Sequence, residues 1–242
     1  MHRIVAKSAR SLALTLALAA LASPAQVAAS MDRAPVMAPD ALLRSVAEEV
    51  IGRIKFDTDL QAGDPAKVAD LVEAKILPLF DFGRMTQSAM ARNWHRASPA
   101  QQAALITEFK TLLVRTYSSA LTNYRDETIE FKRLRASPGD SQVRVKSEVT
   151  RTAKERMSLD YDMEKTPAGW RIFDVQVAGV CLVTTYRDAF AEKVRESGVE
   201  GLIKWLSEMN RQGDSRFSYV KASLWKQTQL VYAIFRSMLQ RQ

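Results

Sequence analysis

The segment Gly169 to Tyr186, GWRIFDVQVAGVCLVTTY, constrains this chain more than any other. After Asp174 it carries no charge for twelve residues, in a chain where 26% of residues are charged. It opens with strand-like alternation, passes Gly179, and continues as a run of small and aliphatic side chains. An uncharged wall of this kind needs an apolar partner: either the protein's own core or an apolar ligand.

The chain ends set different constraints. His2, Arg3, Lys7 and Arg10 form a basic start, Leu12 to Leu21 is a Leu/Ala stretch, and small residues follow through Val27-Ala28-Ala29. Charge, grease and small residues in that order predict a secretory signal over 1–29, cleaved near Ser30. An uncleaved anchor and a buried helix are the alternatives. No later segment has the ~18 continuous apolar residues of a membrane-spanning helix. Export without a span predicts the periplasm, if the cell is Gram-negative. Cys181 is the sole cysteine, so internal disulfides are excluded and stability must come from a core. A domain over 30–212 and a basic extension over 213–242 complete the expected organisation.

The net charge of +8 is unevenly placed. Segment 1–29 holds three Lys/Arg and no acid, and 213–242 holds five against one, leaving 27 basic and 26 acidic residues in 30–212. A nearly neutral body lacks the basic face that nucleic acid requires.

Helical spacing of Leu42, Leu43, Val46, Val50, Ile51 and Ile54 predicts a helix over 40–56. Asp64 and Pro65 start a second, with Val68, Leu71, Val72, Ile76 and Leu79 as its apolar side. A short helix is expected over 81–92. Ser98, Pro99 and Gln101 form a capping box ahead of a long helix reaching about Tyr124. The period then becomes 2. Ile129 and Phe131, then Val143, Val145 and Val149, then Met157, Leu159, Tyr161 and Met163, then Phe173, Val175 and Val177 alternate with polar residues. Four strands with short connections predict an antiparallel meander. Helices near 182–197 and 199–210 close the domain, giving an α+β fold.

Catalytic chemistry is poorly supplied. The mature chain has one histidine, His95, read as a surface or capping residue. No phosphate loop, GxSxG or HExxH motif occurs. Asp160, Asp162 and Glu164 share one solvated strand face and lack the glycine of a calcium loop. Cys181 reads as a small buried apolar residue. Asp174, with Tyr117 or Tyr161, keeps an isomerase-like site open as an alternative, although pairing with a neighbouring Arg or Lys is the simpler expectation for it. By periodicity alone each apolar position is core before it is site, and a filled core is not separable from a hollow one.

Two blocks resemble the MlaC family of periplasmic phospholipid-binding proteins, the toluene-tolerance proteins. The first runs Ile76-Leu-Pro-Leu-Phe-Asp-Phe82, Trp94, Ser98-Pro-Ala-Gln-Gln102, Phe109 and Leu113-Val-Arg-Thr-Tyr117 to Tyr124. The second runs Gly169-Trp-Arg-Ile-Phe-Asp-Val175, Gly179-Val180, Thr184-Thr-Tyr-Arg187 and Gly198-Val-Glu-Gly-Leu-Ile203. Order and spacing match over about 40–210. The resemblance implies a twisted antiparallel sheet of four strands or slightly more, wrapped by helices in an NTF2-like shape, with an apolar pocket. It implies a phospholipid as cargo, no cofactor and no catalysis. It implies partners too: an MlaA-type outer-membrane lipoprotein complex and the MlaD-type component of an inner-membrane ABC transporter, in a system that maintains outer-membrane lipid asymmetry. A non-lipid adaptor on the same fold is a further alternative. The matched blocks and strand facing together select a lining of Leu113, Tyr117, Leu121, Val145, Leu159, Tyr161, Phe173, Val175, Val177, Val180, Leu182 and Val183. The extension over 213–242 departs from the family pattern; its basic, amphipathic character with Trp225 suits an interfacial helix on anionic lipid, with docking back on the body or a poorly ordered terminus as the alternatives.

Overall fold

The computed structural model describes residues 37–118, 128–137, 139–152 and 155–212. The expected signal, the 213–242 extension, Leu121 and Tyr124 lie outside them.

Helix α1 spans Pro39–Phe56. Proline stands in its first turn, where no amide donor is needed, with Asp40 beside it and Arg53 and Lys55 in the last turn, each charge matched to the helix dipole. Asp57 caps the short α2, Thr58–Gln61. Asp64 caps α3, Pro65–Leu71, by accepting from the amides of Ala66 and Lys67, both at 2.9 Å. A π-helical turn, Val72–Ile76, and a 3-10 turn, Leu77–Leu79, carry the chain to α4, Phe82–Met90. Asp81 caps α4 through the Arg84 amide at 2.8 Å. A 3-10 helix, Ala91–Arg96, follows, and then α5, Pro99–Tyr117, whose capping box closes in both directions: Gln101 N–H to Ser98 Oγ, and Ser98 N–H to Gln101 Oε1.

Strands β1 (Thr128–Phe131), β2 (Gln142–Thr152), β3 (Glu155–Thr166), β4 (Gly169–Val177) and β5 (Val180–Cys181) form one antiparallel meander in chain order. The fifth strand, two residues long, adds to the four expected. Ala178 and Gly179, both at positive φ, make the tight turn that produces it. Helix α6, Leu182–Gln212, is broken at Gly198, whose φ of 72° is non-helical. The two expected closing helices are the halves of this element.

Register fixes which side chains share a face. Val145, Tyr161 and Val175 stand in one cross-strand row, and Ser147, Leu159 and Val177 in the next. On the other face Arg144 pairs with Asp162 at 2.6 Å. The pairing shifts between Asp162 and Met163: Asp162 opposes Asp174, and Met163 opposes Ile172. Phe173 is the extra residue of this bulge, and the alternation of β4 inverts across it.

Buried side chains form three clusters. A helical cluster joins α4, α5 and α6 around Phe109, Phe190, Leu105 and Leu202. A sheet cluster joins Val145, Met163, Ile172 and Val175 to Leu43 of α1. A third lies among α1, α2 and α3. The fold is thus a twisted antiparallel sheet wrapped by helices, the α+β class with NTF2-like shape.

Candidate lipid-binding site

The structure distributes the twelve selected residues unequally. Val145, Leu159, Tyr161, Val175 and Val177 come together on the inner face of the sheet. Leu113, Tyr117 and Val183 belong to the adjoining helical cluster, and Leu182, at the start of α6, packs on both. Val180 extends the inner row opposite Val177. Leu121 lies outside the described residues.

Phe173 does not join them. The bulge places Ile172, only 1% exposed, on the inner face instead. The Phe173 ring lies under the guanidinium of Arg84, 3.7 Å from its carbon. Arg84 also pairs with Glu164. Simple alternation back from Val177 and Val175 assigns Phe173 to the inner face, and one inserted residue reverses it.

The inner residues differ in exposure in an informative way. Val145 and Met163 are completely covered and form a floor. Leu159, Tyr161, Val177 and Leu182 face inward on the same surface yet remain half-buried. Tyr161 is at the same time so surrounded by protein that burial pushes its phenol up to about 12. Tyr117, also half-buried, is pushed up to about 12 for the same reason, against a small opposing effect of its hydrogen bond with Tyr186. Both rings thus keep some accessible surface among close protein neighbours. The polar groups at this face are few: the Ser147 hydroxyl donates to the Leu159 carbonyl, and the Phe131 and Tyr161 rings stack with centroids 6.4 Å apart. Two clefts bordered by described residues lie elsewhere, one between the 91–96 turn and α6, the other beside Phe56.

Asp174 is directed away from this face. It stands opposite Asp162 on the outer face, which Gln176 shares, opposite in direction to Tyr161. Its carboxylate accepts from the Val183 amide at 3.1 Å, capping α6, and from the Cys181 thiol. The expected pairing with Arg or Lys is replaced by these two donors and the Val175 amide, which donates at 2.8 Å, and the pairing with Tyr161 that an isomerase-like site needs is not formed. Cys181 is half-buried and hydrogen-bonded, not an inert core residue. Burial first, then the adjacent carboxylate, hold its thiol pKa above the usual value. Asp160, Asp162 and Glu164 do not converge; among the described residues no group of three or more metal-ligating side chains does.

The selected lining leaves out Leu43, Phe131, Met163, Trp170 and Ile172, all buried in the sheet cluster. Strand period signalled Phe131 and Met163. Only the bulge explains Trp170 and Ile172, and only tertiary packing brings α1 over this face.

The profile of the MlaC protein family matches residues 44–208, from α1 almost to the end of α6. The chain belongs to the MlaC family. Among MlaC-like relatives, the toluene tolerance protein ttg2D of Pseudomonas putida is 24% identical over 161 residues, covering 66% of this chain and 74% of that protein. The solved structure of a phospholipid-binding protein from Ralstonia solanacearum, in complex with a phospholipid, is 41% identical. It superposes with a TM-score of 0.66 and covers 72% of this chain and 97% of that one.

Proposed function

We propose that this MlaC-family protein is a periplasmic phospholipid carrier whose cargo chains occupy the hollow between the inner sheet face and helices α5 and α6. The observation that carries this is the set of inward apolar residues, Leu159, Tyr161, Val177 and Leu182, that pack on the sheet cluster yet are only half-buried. The phospholipid bound in the Ralstonia relative supports the same reading. The role is binding and transport, not catalysis.

The energetics suit a carrier. A buried CH₂ contributes ~0.8 kcal/mol, so one long acyl chain offers on the order of 10 kcal/mol without any directional contact. Non-directional binding explains a lining of Val, Leu and Tyr with few polar groups. Release then requires a partner that opens the hollow. In this reading an MlaA-type complex at the outer membrane and an MlaD-type component of an inner-membrane ABC transporter are those partners, and the exchange maintains outer-membrane lipid asymmetry. Segment 1–29 is the export signal, and 213–242 adds contact with a membrane surface.

Native mass spectrometry of the purified protein tests the proposal. Phospholipid at near one molecule per chain is expected, and a chain without extractable lipid refutes it. Leu159→Glu places a charge in the hollow and should abolish occupancy while far-ultraviolet circular dichroism is unchanged.

A further inference from the structure

The cleft between the 91–96 turn and α6 has a volume of about 620 Å³. That lies within the roughly 300–1,000 Å³ of small-ligand pockets. Its lining includes Arg92 and Arg96 from the turn, Arg195 and Glu192 from α6, and Asn93 between them. It is separate from the cargo hollow: α6 residues 191–195 stand roughly 12–20 Å along the helix from Leu182 and Val183, at 1.5 Å per residue.

The backbone is bent to build it. Ala91 takes φ 48° and ψ −128°, a left-handed conformation that alanine rarely adopts. The bend ends α4 and starts the turn that carries Arg92 and Arg96, both exposed. Among the described residues neither guanidinium has a carboxylate at ion-pair distance. Arg96 instead donates to the amide oxygen of Asn93 at 3.2 Å, and Asn93 is itself 7% exposed. Arg195 reaches Glu192 only at 3.9 Å, with both side chains largely in solvent. Three forked cations thus face one loosely held acid, on a domain whose body is almost neutral.

We infer that this cleft is a second binding site, one that takes a phosphate group at the surface of an anionic membrane. Guanidinium forks match phosphate in a bidentate geometry, and their weak hydration favours leaving water for such a contact. A protein partner fits less well. Stable protein interfaces centre on buried aromatic anchors, whereas the exposed large apolar side chains of the described residues are Met37 and Phe56, neither of which lines this cleft. Contact here would hold the carrier on a leaflet without occupying the cargo hollow.

The test is co-sedimentation of the full chain with mixed phosphatidylglycerol–phosphatidylcholine vesicles at low salt. R92Q/R96Q/R195Q should lower the partition coefficient about fivefold per arginine, on the order of a hundredfold for the three. Lipid occupancy by native mass spectrometry and the thermal midpoint should stay unchanged, which separates this site from the carrier function. R92K/R96K/R195K keeps the charge but loses the forks, and should bind between the unmodified chain and the glutamine variant; binding equal to the unmodified chain would mean that charge alone, not the fork, holds the vesicle. A second triple variant, R115Q/R133Q/R135Q, removes the same charge from exposed arginines outside the cleft. Equal losses in both glutamine sets, or vesicle binding that does not change in either, would overturn the assignment. So would arginine side-chain NMR shifts of the cleft with inorganic phosphate but arginine-independent vesicle binding; the site would then take a free anion.

Discussion

Ala91 and Asp174 show what single residues do here. Ala91 is exposed and holds a φ of 48° that its Cβ resists. Ala91→Gly removes that conflict at no packing cost and should stabilise the fold by about 1 kcal/mol in urea denaturation. Asp174 sits in an uncharged run where a general base would be conspicuous. Its oxygens are instead taken by the Val175 and Val183 amides and the Cys181 thiol. The thiol pKa is raised, so alkylation of Cys181 should be slow at neutral pH. Asp174→Asn removes a negative neighbour and should speed iodoacetamide labelling at constant pH, as read by mass spectrometry. No faster labelling would mean that the carboxylate does not control the thiol. Neither role was legible in the sequence, because the partners come from the next hairpin and the next helix.

At the scale of elements, helix starts were the most legible features. Ser98, Pro99 and Gln101 specify the start of α5 locally, and the capping box forms as the spacing requires. Ser98→Ala should cost about 1 kcal/mol of stability, measured by thermal or urea melting. The break in α6 is also local, since Gly198 adopts a φ of 72°. Three residues on, a Cβ at Gly201 would clash with the Ser197 side chain. Gly201→Ala should therefore destabilise by roughly 1–3 kcal/mol despite its better helix propensity, and Ser197→Gly in the same chain should recover part of the loss. The facing of β4 was not legible throughout. A bulge depends on how two strands align, so the one-residue shift at Phe173 has no signature within β4 alone.

For the whole molecule, the proposed carrier role turns on an inner sheet face whose apolar side chains are not all covered. The tyrosines that border this face give it a pH signature. The pKa values of Tyr117 and Tyr161 are raised by burial to about 12, from 10 in the unfolded chain. The unfolded state therefore loses these protons first as pH rises. Their contribution is fully present below pH 10 and lost between about pH 10 and 12. Stability in urea should fall across that window, and tyrosinate absorbance should appear together with unfolding. Titration of all tyrosines near 10 in the folded protein would contradict the enclosure. By itself the sequence determined the α+β order, the helix starts, the alternating strands and the family, because caps, periods and block spacing are local or linear properties. Tertiary structure alone decided that Gly169 to Tyr186 splits its duties. Val175 and Val177 join the sheet cluster, Phe173 turns out beneath Arg84, and Asp174 caps the helix that follows. Facing depends on cross-strand register, and a hollow differs from a core only in what stands opposite each side chain. Neither quantity is carried by the order of residues along one strand.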